Sequence, residues 1–377
     1  MSTHKVQAIL IIEMPKESSL LKWHRESGAE FAEEDGWIVP LRFGDPLEEY
    51  RAVRSGVGIL DLGNRALLRF TGADRASYLQ GMVSNDVKNL VEGTGIYAAI
   101  LDVQGKILAD VRVLCAGDSF LLDLSEPLKG KILDHLNRYL VADEVEIADL
   151  TQERAIISLQ GPKARSLLGA LSPEAGLPSR ELDHRDFVIG GSAARVVRAT
   201  HTGEEGFDLL IERENPAGVI PAILEAGKKF SLRWVGSQAR EILRVEAGIP
   251  RYGIDMDESN LLLEAGLEKS VSFQKGCYLG QEVVERIRSR GHVNRRLAGM
   301  VLEGQVAADR GGAICDGERE IGRVTSSIES PLLRAPLALG YVHRDYLEPG
   351  TRVSIRKDAQ MIPARLVSLP FYKAPAA

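Results

Sequence analysis

At 377 residues the chain is longer than one hydrophobic core usually supports, so two or three domains are expected. Its 44% hydrophobic and 27% charged residues are the composition of an ordinary soluble globular protein. A formal net charge of -6 argues against a general nucleic-acid binder, while leaving room for a local basic patch.

The apolar run Ala8-Ile9-Leu10-Ile11-Ile12 is too short to cross a bilayer, is interrupted by Glu13 and lacks a small-residue cleavage site. It predicts neither a signal peptide nor a membrane span, and a cytoplasmic protein. Residues 16–46 are polar, with Trp23, Phe31 and Trp37 as isolated anchors, and suggest a leading helix followed by a short extended piece. Leu47, Tyr50, Val53 and Arg54 then suit a short helix, and residues 56–62 a strand.

Residues 66–71 read as a strand and 73–80 as a helix after the Thr71-Gly72 break. Residues 95–101 and 107–114 are two strands joined by the turn Asp102-Val103-Gln104-Gly105, hence a hairpin. A third strand follows at 120–124 and a helix at 128–140. A second αβ unit begins with the strand 155–159 and the Ala/Leu-rich helix 164–171. Residues 172–186 look like a surface connection, and 193–199 is a strand of alternating pattern. His201-Thr202-Gly203-Glu204-Glu205-Gly206-Phe207-Asp208 sets three acids among glycines before another strand; turn chemistry alone makes it a hairpin turn with solvated charges. Helices are expected at 215–230 and 236–247, the latter placing Arg240 and Arg244 one turn apart as on an exposed charged face. A Pro/Gly loop follows at 249–258.

The densest chemistry lies in Phe273-Gln274-Lys275-Gly276-Cys277-Tyr278-Leu279-Gly280-Gln281-Glu282, directly before Val283, Val284 and Ile287 at helical spacing. Two glycines let the backbone bend and approach another group closely. Gln281 and Glu282 fall where a helix should begin, so Cys277 would stand just before a helix N-terminus with Lys275 two residues away, a setting that favours a reactive thiolate. The competing reading is a buried structural cysteine in a Gly-bracketed turn. Cys115, Cys277 and Cys315 are far apart and form no Cys-x-x-Cys or Cys/His pair at metal spacing; no metal is assigned, and reduced thiols fit best. Arg286, Arg288, Arg290, His292, Arg295 and Arg296 then make a basic run, either a solvated face or a seat for a polyanionic ligand tail or tRNA. From Leu297 onward short alternating strands (297–302, 313–315, 321–326, 338–342, 352–355, 360–369) predict a small all-β domain, barrel or sandwich.

Lys275 to Glu282 closely resembles the K-G-C-Y-x-G-Q-E signature of the YgfZ family, folate-binding proteins related to the T protein (aminomethyltransferase) of the glycine cleavage system. Eukaryotic members of that family are mitochondrial iron-sulfur cluster assembly factors. Residues 50–125 also resemble the T protein, through Val53 to Asp61, Thr71-Gly72-Ala73-Asp74, Ser84-Asn85-Asp86-Val87 and Gln104 to Asp110, as do Ala239 to Gly248 and the tail Leu369-Pro370-Phe371-Tyr372-Lys373. The resemblance, over about residues 45–373, implies an α+β fold, a three-domain ring with two αβ domains and a C-terminal barrel-like β domain. It divides the chain into a folate-binding part at 1–150, a second αβ part at 151–296 interleaved with it, and the β domain at 297–377. It implies tetrahydrofolate, or a reduced derivative, as cofactor, held by Asp208 (where the T protein has a Glu that grips the pterin) and Arg240. Tyr97 and Tyr372 would cover the ring, and His201 replaces a tyrosine. Cys277, Lys275 and Asp110 are the implied catalytic groups, and Gly276, Tyr278, Gly280, Gln281 and Glu282 complete the motif. Where the T protein has two successive acids this chain has Ala109-Asp110, which removes one of them. The function implied is YgfZ-like help in the synthesis or repair of iron-sulfur proteins, and indirectly of tRNA thiolation enzymes, with iron-sulfur client or assembly proteins as partners and neither a membrane nor direct nucleic-acid contact. The alternatives are a true aminomethyltransferase moving a one-carbon unit to tetrahydrofolate, and a non-catalytic folate-binding scaffold.

Overall fold

A computed structural model describes residues 14–173, 176–358 and 360–375. The apolar run at 8–12 lies outside them, as does the side chain of Arg290. Two sheets dominate the first three quarters of the chain. The five-stranded one runs, edge to edge, Gly95–Leu101, Ile107–Ala116, Ser119–Ser125, Arg65–Thr71, Glu146–Asp149. The six-stranded one runs His184–Ile189, Ser192–Arg198, Gly206–Glu212, Arg154–Gln160, Val57–Asp61, Leu232–Trp234.

Strand alternation gives each sheet two different faces. On the five-stranded sheet Leu68, Phe70, Val111, Val113 and Leu122 turn outward, where Leu79 of helix Arg75–Met82 and Ile132 and Leu136 of helix Lys129–Tyr139 cover them. On the six-stranded sheet Ile157, Leu159, Leu209 and Ile211 meet Leu167 and Leu168 of helix Ala164–Leu171 and Val219, Ile220 and Ile223 of helix Pro216–Gly227. The opposite faces pack on each other: Leu67, Leu114 and Leu121 of one sheet share a core with Leu62, Ile156, Val197 and Leu210 of the other. The order is therefore helix, sheet, sheet, helix, with one apolar layer in each of the three gaps.

The C-terminal part is a closed six-stranded barrel of Arg295–Leu302, Ala335–His343, Arg319–Ser330, Ala313–Asp316, Arg352–Lys357 and Gln360–Val367. Closure leaves no open edge and decides between barrel and sandwich. Helix Ser237–Glu246 joins it to the rest, turning Ala239 and Leu243 toward Tyr50, Val53 and Leu60, and Val245 toward Leu297, Leu337 and Leu339 of the barrel. The fold is α+β, two αβ domains and a β-barrel domain.

Residues 16–46 hold the expected leading helix, at Leu21–Glu26, and the extended part after it is a pair of antiparallel strands, Glu30–Glu34 and Trp37–Arg42, with Lys16–Glu17 added in parallel to the second. Trp37 anchors this sheet by donating its indole N–H to Glu126 Oε2 at 3.1 Å. The connection expected at 172–186 already contains the start of the strand His184–Ile189.

Candidate functional site

The hairpin Gly95–Leu101/Ile107–Ala116 carries the first half of the site. Tyr97 lies opposite Arg112 and Ala99 opposite Asp110, so Tyr97, Asp110, Arg112 and Leu114 share the face turned toward the second sheet. Arg112 is in turn opposite Asp123, and Ser125 opposite Arg65, which extends the row. Leu114 and Leu121 keep one end of this face apolar; the other end is charged. Ala109 faces the outer apolar layer with Ile100 and Val111. An acid at 109 would therefore point among aliphatic side chains, and the acid that reaches the space between the sheets is Asp110.

The second half comes from the facing sheet. Asp208 lies opposite Ser158, which lies opposite Leu60. Across the gap Arg112 Nη1 donates to Asp208 Oδ2 at 2.8 Å, and His201 Nε2 stands 3.0 Å from both oxygens of the same carboxylate. Burial pushes the Asp208 carboxyl up, but the His201 ring, the Arg112 guanidinium and the Ser158 hydroxyl outweigh it and bring it to about 2. His201 is moved the other way: burial, reinforced by Arg112, outweighs the pull of Asp208 and leaves the ring neutral at neutral pH. Beside this group the Tyr97 hydroxyl donates to Asp110 Oδ2 at 3.1 Å, and burial together with that carboxylate pushes the phenol well above its ordinary range. Arg65 Nε donates to Asp123 Oδ1 at 2.5 Å. Gln160 braces the loop behind, accepting from the His201 backbone N–H at 3.0 Å and the Thr202 hydroxyl at 3.1 Å.

Asp208, Asp110 and Tyr97 are thus brought together, and Arg240 and Tyr372 are placed elsewhere. Arg240 lines a cavity of ≈ 20 Å³ with Trp37, Leu60, Asp61 and Asn64, room for about one water. Its Nη2 is 3.9 Å from Glu34, which Arg251 also approaches at 3.5 Å, and both burial and Arg251 work against its charge. Leu60, on that cavity, is two strands from Asp208, a separation on the order of 10 Å. Tyr372 lies under the Arg54 guanidinium, 3.9 Å from the ring centroid, and its N–H donates to Glu246 O at 2.9 Å. Arg65, Arg112 and Asp123 are the members that sequence reading missed. For Arg112 the signal was a second charge two residues after Asp110 inside an otherwise apolar strand, and for Asp123 a lone charge in the apolar strand Ser119–Ser125, both of which belong on a buried face; Arg65 opens its strand and carried no such signal.

The motif at 275–282 proves to be mostly structural. Lys275 does not serve Cys277: its Nζ donates to the carbonyls of Gln80, Val83 and Asn85 at 2.5, 2.7 and 2.9 Å. Tyr278 is buried in a core with Leu101, Ile107, Leu262 and Val284. Gly280 caps helix Gln281–Arg290 in the left-handed region, Gln281 Oε1 accepts from the Tyr278 N–H at 3.3 Å, and Glu282 puts its charge in the first turn. Gly276 has open space around it. Of the three cysteines, Cys277 is the exposed one. The basic run is partly neutralised: Arg295 is 3.4 Å from Glu264, Arg296 2.6 Å from Glu268, and Arg288 lies over the Phe273 ring at 4.4 Å. Among the described residues no group of His, Cys, Asp and Glu is arranged to hold a metal ion.

Comparison with known proteins places this geometry. Residues 20–275 match the GCVT N-terminal domain and residues 295–373 the glycine cleavage T-protein C-terminal barrel domain. The chain is 33% identical to an aminomethyltransferase of Rubrobacter xylanophilus, over 95% of this chain and 94% of that one. It is 32% identical to an aminomethyltransferase of Chlorobium phaeovibrioides, over 95% and 99%. The crystal structure of the glycine cleavage system aminomethyltransferase T from Bartonella henselae superposes with a TM-score of 0.86 at 25% identity, covering 95% of this chain and 98% of that chain. These likenesses carry the superfamily and not the YgfZ branch within it. The chain belongs to the aminomethyltransferase, or glycine cleavage T-protein, superfamily.

Proposed function

We propose that the protein is a tetrahydrofolate-dependent one-carbon transferase of the aminomethyl class, with the reduced pterin held at the polar end of the space between the two sheets. The observation that supports this most directly is the placement of Asp110. The loss of an acid at 109 takes no carboxylate out of that space, because position 109 faces the outer apolar layer and Asp110 faces inward beside Tyr97. The group suits the ligand: a pterin edge alternates amine donors with carbonyl and ring-nitrogen acceptors, and Asp110 accepts while Arg112 donates. When bound, tetrahydrofolate supplies the secondary amine that takes up the one-carbon unit. Asp110 is the carboxylate able to hold or accept a proton there, oriented by Tyr97.

The reading is tested with purified protein, lipoyl carrier, ammonia and methylenetetrahydrofolate, alongside calorimetry with tetrahydrofolate. Asp110→Asn is expected to lower turnover by about a hundredfold or more, the usual contribution of a positioned acid or base, with tetrahydrofolate still bound. Absence of both folate binding and turnover in the unmodified protein overturns the reading.

One observation favours a second reading, folate-dependent help to iron-sulfur client or assembly proteins. Every other functional group of the 275–282 motif is occupied in the fold or helps cap a helix, whereas Cys277 is exposed. Under that reading Cys277→Ala abolishes rescue of iron-sulfur enzyme activity in cells lacking the protein; full rescue removes the thiol from the account.

A further inference from the structure

The Arg112, His201 and Asp208 cluster has an inside and an outside, and they are not the ones the family pattern suggests. In that pattern the acid of the Thr-Gly-Glu segment grips the pterin. Here both oxygens of that acid are engaged by His201 Nε2, and one of them also by Arg112 Nη1. The side chain of Asp208 is 3% exposed, against 15% for Arg112 and 15% for His201. The acid is therefore the buried end of the cluster, and a ligand in the gap meets the side of Arg112 and His201 first.

The hydrogen-bond roles follow from the neutral His201 ring. With Nε2–H donated to Asp208, Nδ1 is an acceptor, and Arg112 Nη2 stands 3.4 Å from it. One guanidinium nitrogen is thus fixed by Asp208 and the other by His201. Asp123 stands further off, at 3.7 Å from Nη1, and is held by Arg65. A guanidinium has five N–H donors, so a fork held at both tips still has N–H groups to offer.

We propose that Arg112 is the specificity-determining contact of this site, donating to an acceptor edge of the ligand, with Asp208 and His201 as positioning residues. The inference rests on the folate-dependent reading above. The acceptor is the ring carbonyl of the folate. Where the T protein offers an acid to the amine side of a pterin, this chain offers a donor to an oxygen.

The test is calorimetry with tetrahydrofolate and steady-state kinetics on the full chain, comparing unmodified protein with Arg112→Leu and Arg112→Lys. If the folate carbonyl is the partner, Arg112→Leu weakens tetrahydrofolate binding at least tenfold. Arg112→Lys, which keeps the charge without the planar fork, recovers part of it. As a positioning control, His201→Gln keeps a side-chain acceptor and retains affinity better than His201→Phe. Should Arg112→Leu not fold, Arg112→Lys reads the same contact by itself. The proposal is overturned if folate affinity stays within twofold while only thermal stability falls, which would make Arg112 a strut between sheets. Failure of the unmodified protein to bind tetrahydrofolate is a different result and sinks the folate reading itself.

Discussion

Gly280 sits at a φ of +82°, and a Cβ added there would meet Asp102 O at 2.6 Å and Leu101 Cβ at 2.9 Å. Both the backbone region and the space exclude a side chain, so Gly280→Ala is expected to cost about 2 kcal/mol or more in urea unfolding. Cys277→Ser, at an exposed position three residues earlier, is expected to stay within about 0.5 kcal/mol of the unmodified protein. A second prediction concerns pH. The Asp208 carboxyl is lowered in the folded protein from an ordinary 3.8 to about 2. The stability it adds is thus fully present above pH 3.8 and lost as pH falls toward 2, an amount on the order of 2 kcal/mol. Acid unfolding followed between pH 5 and 2 should show this slope, and Asp208→Asn should flatten it. At this scale Cys277 was marked by its polar neighbours, and Asp208, Asp110 and Tyr97 by the likeness to the T protein. It could not say that Lys275 turns inward, because a lysine's direction is settled by carbonyls some 190 residues away in the chain.

Between elements, the same lysine explains what the motif at 275–282 does for the fold. Its ammonium closes off the carbonyl ends of the segment 80–85, after helix Arg75–Met82, and Ser84 adds a hydroxyl donated to Ser270 O at 2.6 Å. Burial pushes the Lys275 ammonium down to about 8, against a weaker pull from Asp86, so it is mostly charged at pH 7. Lys275→Met should leave three carbonyls without their donor and cost about 3 kcal/mol. Hydrogen exchange should then quicken at the amides of Ser84 and Ala99, which belong to this junction, and unchanged exchange there would count against the tie. Strands such as Ile107–Ala116 were legible because apolar residues and charges alternate along them with period two. Glu30–Glu34 was legible only as part of an extended piece and not as a paired strand, since its Glu- and Ala-rich sequence has poor strand propensity and its partner is the strand that Trp37 anchors on Glu126. Nor was the place of Val57–Asp61 in the six-stranded sheet, because its neighbour Arg154–Gln160 follows about a hundred residues later and no local pattern names that partner.

For the molecule as a whole, one buried network joins parts of the chain that sequence alone leaves separate. Arg54 of helix Pro46–Ser55 donates to Glu204 at 2.9 Å, to Thr202 O at 3.0 Å and to Glu246 at 2.6 Å. Glu246, at the end of helix Ser237–Glu246, also accepts from the Tyr50 hydroxyl at 2.8 Å and from Ser330 of the barrel at 2.5 Å. Tyr372 from the tail covers the guanidinium. The side chain of Glu246 is 0% exposed and that of Glu204 3%, so Arg54→Met would leave two carboxylates inside the protein without their cation. Breaking a buried pair in this way costs about 3–5 kcal/mol, and here the loss falls on the junction between the second αβ domain and the barrel. The expected outcome is a single calorimetric transition for the unmodified protein and, for Arg54→Met, two transitions as barrel unfolding separates from the rest. Tyr372→Ala removes only the cover and should lower stability less, and the two changes together should be less than additive because both act on one guanidinium. A single undivided transition in Arg54→Met, with additive losses in the double variant, would mean that the apolar contact of Val245 with Leu297, Leu337 and Leu339 holds the barrel in place without help from the charges.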